Sequence, residues 1–167
     1  MQDANFTGRD IGTGHASDSA VQRRVEEHIL RLASEELHFE LRHRVWTEAR
    51  TTLPDGARID VDGYCPDPLT YAEVFARQGK LKAGQIHKVA QDILKLVTIR
   101  SLLAPNAQLY IIFADKSAAA IPNGRGWLAE AARAWDVKPL VVRLDTKLRG
   151  ELNKAQDRQR MINPPQD

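Results

Sequence analysis

Asp60, Asp62 and Glu73 are the carboxylates of two alternating segments, "ARIDVDGY" at 57–64 and "YAEVFAR" at 71–77, and lysines follow at 80, 82 and 88. Successive side chains of a strand point to opposite faces. Arg58, Asp60, Asp62 and Tyr64 therefore share one face of the first segment, and Tyr71, Glu73, Phe75 and Arg77 one face of the second. If the two pair antiparallel with Tyr64 opposite Tyr71, Asp62 falls opposite Glu73 and Asp60 opposite Phe75. Ile59, Val61, Ala72, Val74 and Ala76 then make the apolar face, and a slip of one residue would set apolar against polar. Opposed carboxylates repel unless something compensates them. Magnesium is a natural compensation, because it takes one or two protein carboxylates and keeps waters or phosphate oxygens. Such an ion activates water and stabilises charge on a phosphodiester, and a nearby lysine would position or deprotonate that water. The competing reading is that these acids pair with Arg58 and Arg77 on a solvated sheet face.

The elements that must hold these residues follow from periodicity. Val21, Val25, Ile29 and Leu32 lie three or four apart, which predicts an amphipathic helix from Ser19. "HFELRHRVWTEARTTL" fits a helix or a strand, and "LPDG" at 53–56 is a turn. "CPDPLT" interrupts the strands with two prolines. "QIHKVAQDILKLVTIRSLL" predicts a helix, with Ile86, Val89, Ile93, Leu96 and Val97 on one side. "QLYIIFAD" is apolar throughout, as expected of a strand buried on both faces. A helix in "GRGWLAEAARAW", a strand in "KPLVVRLD" and a polar, basic helix or tail in "TKLRGELNKAQDRQRM" complete the order. Helical crossovers joined to an antiparallel hairpin make an α/β sandwich with a mixed sheet. We expect a flexible arm over 1–18, a core domain over 19–145 and a basic C-terminal segment over 146–167.

The totals narrow the function. The 167 residues suffice for one domain with a real core, and 43% hydrophobic with 28% charged residues is an ordinary globular balance. Cys65 is the single cysteine, so neither an internal disulfide nor a cysteine zinc cluster is expected, and the five histidines lack metal-ligand spacing. No apolar run is as long as a membrane span and the N-terminus carries no signal-like core, so a cytoplasmic protein without membrane contact is expected. Net charge is only +2, but between Arg77 and Arg100 six basic residues face one acid, Asp92. Such a band tracks a phosphate backbone or is a solvated helix face. Trp46, Trp127 and Trp135 are expected in the core or an interface.

Together these residues resemble the PD-(D/E)xK nuclease superfamily, whose restriction-endonuclease-like core runs helix, antiparallel strand meander, crossover helix, strand. The order matches from about Ser19 to Asp115. The stretch "EVFARQGKLKAGQIHKVAQDILKL" is also similar to a bacterial group that carries this fold with a degenerate motif. The superfamily places an acid late in one strand, then an acid and a lysine two residues apart in the next. Here "VDGY" supplies Asp62 and "AEVF" supplies Glu73, but Phe75 stands in the lysine position. Some branches move the lysine to the following helix, which points to Lys88 as the water-assisting residue and Gln85 as its orienting neighbour. The resemblance implies magnesium or manganese on Asp62 and Glu73, and DNA as substrate, with Arg77, Lys80 and Lys82 on its backbone. A homodimer or a partner protein is a further expectation. The alternative function is a catalytically inactive nucleic-acid-binding or scaffolding module of the same fold.

Overall fold

A computed structural model describes residues 13–43 and 50–162. Among these, α1 (Thr13–Leu37) is followed by β1 (Arg42–His43), β2 (Arg50–Thr52), β3 (Arg58–Asp60), β4 (Gly63–Pro66) and β5 (Leu69–Phe75). Then come α2 (Ala83–Leu102), β6 (Gln108–Phe113), α3 (Trp127–Ala134), β7 (Val137–Val141) and α4 (Thr146–Ile162). Five strands form a mixed sheet in the order β1-β4-β5-β6-β7, and β2 with β3 makes a separate hairpin around the 53–56 turn. β1, β4 and β5 are antiparallel, whereas β5, β6 and β7 are parallel. Parallel neighbours need a crossover, and α2 and α3 provide the two. The architecture is α/β, as the order of periodicities predicts. The first helix starts earlier than Ser19: residues 13–18 are helical, while the rest of the expected arm and Trp46 lie outside the described residues.

The expected pairing of Tyr64 with Tyr71 is present, but the strand holding it is shorter than its alternation suggests. The ladder between β4 and β5 runs only from Gly63↔Ala72 to Pro66↔Leu69. Asp60 faces Arg50 of β2, not Phe75. The single strand expected over 57–64 is thus two strands of different sheets, with a break at Val61 and Asp62. The break also moves Val61 to the other layer. It is buried with Tyr71 and Phe75, not with Ala72 and Val74.

Two apolar layers sandwich the sheet. The odd residues of β5 pack with α2 and α3, through Val89, Ile93, Leu96, Ile99 and Leu128. The even residues pack with α1 and α4, through Val25, Ile29, Leu30 and Leu152. Each fully buried aliphatic or aromatic side chain contributes roughly 1.5–3 kcal/mol, so these stripes account for the docking of all four helices. Trp127 and Trp135 stay out of both layers, exposed on and just after α3.

Gly63 permits the closest approach of α1 to the sheet. A Cβ built there would lie 2.6 Å from Leu30 Cδ2 and 3.3 Å from Ala72 Cβ. Leu30 is itself buried and has little room to yield. Gly63→Ala is expected to lower stability in denaturant melts by about 1–3 kcal/mol, the usual cost of overpacking. Combined with Leu30→Val it should lose less than the sum of the two single changes; strict additivity would show that the contact is not the cause.

Candidate functional site

The break before β4 creates the site. Where the β4–β5 ladder ends, Asp62 Oδ2 accepts a hydrogen bond from the Val74 N–H at 2.9 Å. A side chain thereby replaces the lost ladder partner and satisfies a backbone donor that burial would otherwise penalise. The same bond draws the Asp62 carboxylate against β5 next to Glu73. Glu73 lies on β5 one residue past the end of the β4 ladder, pairs with Ile111 of β6, faces α2 and is 1% exposed. It is the one carboxyl side chain of β5.

α2 answers this acid with a polar stripe. Lys88, Asp92 and Lys95 have the i, i+4, i+7 spacing of one helix face, beside the apolar stripe of Val89, Ile93 and Leu96. Lys95 Nζ donates to Glu73 Oε1 at 2.5 Å and to the Asp60 carbonyl at 3.0 Å. It thus ties α2 to both β3 and β5. Lys88 forms a hydrogen-bonded ion pair with Asp92, whose side chain is almost fully buried.

The electrostatics are those of crowded acids. Burial first, then the charge of Asp62 and to a lesser degree that of Asp92, push the Glu73 carboxyl from its ordinary value up to about 8, with Lys95 opposing. Burial likewise raises Asp92, against the pull of Lys88 and Lys95. For Lys88, burial opposes the charged form, but the bond to Asp92 and the charges of Asp92, Glu73 and Asp62 outweigh it and raise its pKa. Perturbation by burial and specific charge partners occurs at functional sites and in structural ion-pair networks alike.

Of the residues expected from the sequence, Asp62 and Glu73 come together, although not as directly opposed strand residues. Lys88 faces Asp92. The Gln85 side chain is occupied elsewhere: its Oε1 accepts the Lys82 N–H at 2.8 Å and caps the start of α2. Arg77, Lys82 and Lys88 line one cleft, and Lys80 is exposed on the loop before α2. Phe75 is in the core, its ring 5.7 Å from that of Phe113. The residue that sequence reasoning left among the basic band is Lys95, which is in direct contact with Glu73. Its spacing from Lys88 and Asp92 was the available signal.

Magnesium or manganese matches the donor set in chemical type, both carboxylates offering hard oxygen donors. Two carboxylates from neighbouring segments, one of them unusually hard to ionise while unmetallated, suit an ion that takes one or two carboxylates and otherwise water or phosphate. Among the described residues no group of three or more His, Cys, Asp or Glu side chains is arranged to hold a metal ion, so the fit rests on the pair. No protein-family profile matches this sequence, and neither curated proteins nor solved structures match it significantly.

The raised Glu73 pKa makes stability depend on pH. The folded chain holds this proton between about 4.5 and about 8, whereas the unfolded chain releases it. Stability from Glu73 is therefore full below the unfolded value and lost as pH rises through about 8. The slope approaches ~1.4 kcal/mol per pH unit for one proton. Asp92 adds to the same trend at its acidic end. Urea melts in metal-free buffer should show wild type weakening across this window and Glu73→Gln markedly flatter. Parallel profiles would mean that Glu73 titrates normally.

Proposed function

We propose that this protein is a metal-dependent nuclease with a restriction-endonuclease-like core, hydrolysing phosphodiester bonds in DNA. The observation that carries the reading is Glu73: a buried carboxyl beside Asp62, in contact with Lys95, on a central strand. A buried ion pair is weak evidence for stability, since apolar residues of similar volume often serve a fold as well. An acid pair with an amine in hydrogen-bond reach is, in contrast, one set of groups that phosphodiester hydrolysis can use.

Asp62 and Glu73 would hold magnesium or manganese, which when bound supplies a Lewis acid and lowers the pKa of water. Lys95 is the amine nearest the pair. Its two bonds, to Glu73 Oε1 and the Asp60 carbonyl, hold the ammonium at the carboxylates, where it can orient the attacking water or offset charge on the phosphate. Lys95 takes the role that the sequence suggested for Lys88. Lys88 and Asp92 act as a positioning pair on the same helix face. Arg77, Lys80 and Lys82 supply non-specific phosphate contacts at the head of α2. One observation favours the second reading, an inactive binding or scaffolding module: Phe75 fills the strand's lysine position as a packed core residue.

Cleavage of labelled DNA with magnesium or manganese separates the two. Asp62→Asn and Glu73→Gln should each abolish cleavage while keeping the circular dichroism spectrum, because the amide oxygen of an asparagine in place of Asp62 can still accept the Val74 N–H. Lys95→Ala should lower turnover ~10²–10⁴-fold with DNA affinity largely kept, and Lys88→Ala should cost less. A dead Lys88→Ala beside a fully active Lys95→Ala would return the role to Lys88. Wild type that cuts nothing and gives no metal heat in calorimetry is the outcome expected of the scaffolding module.

A further inference from the structure

Past the end of the β4–β5 ladder a cavity of about 650 Å³ opens between the end of β5, the start of α2, α1 and α4. Its size lies within the ~300–1,000 Å³ typical of small-ligand sites. Val21, Val74 and Leu152 give it apolar walls. Inside, Gln156 Nε2 is shielded from solvent and has no hydrogen-bond acceptor among the described residues, while the 5%-exposed Glu26 on the wall is engaged by Gln22 Nε2 at 3.0 Å and His43 Nε2 at 3.6 Å. At the rim are Arg77 and Lys82, both exposed and, among the described residues, without an acidic partner. Lys88 also lines the cavity while bonding Asp92, so the recess adjoins the carboxylate site.

We propose that this cavity receives one unstacked base of a single-stranded or frayed DNA end, whose flanking phosphates lie on Arg77 and Lys82. The proposal rests on the nuclease reading of the neighbouring carboxylates and names their substrate class. An apolar recess with an unused amide donor suits a flat heterocycle with an acceptor on its edge, and a cationic rim suits its phosphates. Intact duplex cannot fill the recess without unpairing and unstacking a base, which costs a few kcal/mol. A single strand avoids that cost, so the cavity selects single strands and frayed ends over blunt duplex.

The test is fluorescence anisotropy in metal-free buffer, with a labelled oligothymidylate and a blunt duplex of equal length. Wild type should bind the single strand at least about tenfold tighter, the scale of one base contact. Gly84 lines the cavity, and a Cβ there meets nothing within 4 Å. Gly84→Trp should therefore fill the rim, leave the thermal midpoint unchanged and reduce single-strand affinity to the duplex level. Gln156→Leu should weaken single-strand binding severalfold and leave duplex binding alone. Equal or better duplex binding by wild type, or full single-strand preference in both variants, overturns the proposal while the nuclease reading stands. Failure of wild type to bind either DNA would remove the nucleic-acid reading itself and this proposal with it.

Discussion

The rest of the site depends on one costly placement, a carboxyl group buried in the middle of a sheet. Bringing a charge into a protein interior carries a penalty of several kcal/mol even after relaxation, and the group responds by holding its proton or finding a cation. Glu73 does both. Its pKa is driven up to about 8, and Lys95 approaches to 2.5 Å. The neighbouring irregularities meet at it: the strand break at Val61 and Asp62 sets Asp62 beside it, the hairpin of β2 and β3 brings the Asp60 carbonyl to Lys95, and the charged stripe along α2 faces it.

α2 docks through Val89, Ile93, Leu96 and Ile99, and this apolar contact fixes the helix against β5. The charged stripe sits one step round the helix, so docking decides which lysine meets which acid. With the helix antiparallel to β5, the later residue, Lys95, bonds Glu73, and the earlier one, Lys88, pairs with Asp92. Gln85 is earlier still, in the first turn, where its side chain satisfies a backbone donor that the helix leaves open. Position along one face, more than residue type, distributes the roles.

This explains what the sequence could disclose. Helices α1 and α2, the parallel strands and the Tyr64–Tyr71 register were legible because burial imposes a period of 3.6 or 2 over many residues. The break inside "ARIDVDGY" was not, since alternation continues across it. Only a side-chain bond from Asp62 to Val74 N–H marks where one sheet stops. Glu73 and Asp62 were legible as a pair, but the depth of Glu73 was not, because alternation with charge suggests a solvated face. Lys95 was hidden for a different reason. Choosing among amines on one helix face requires the docking position of that helix, which no local pattern records.

β5 joins the two halves of the site. Its period of two sends Glu73 to the α2 side and Val74 to the side of α1 and α4, where Val74 becomes a wall of the cavity. A strand paired along its full length would keep those two faces apart. Here β4 begins only at Gly63, and among the described residues the end of β5 has no antiparallel ladder partner there, its Val74 N–H being taken by Asp62 instead. The cavity therefore wraps the strand's edge, with Lys88 shared between the recess and the acidic cluster. The departure that brings Asp62 to Glu73 is also what opens the space for a ligand beside them, so the acid pair and the cavity are two consequences of one interrupted ladder.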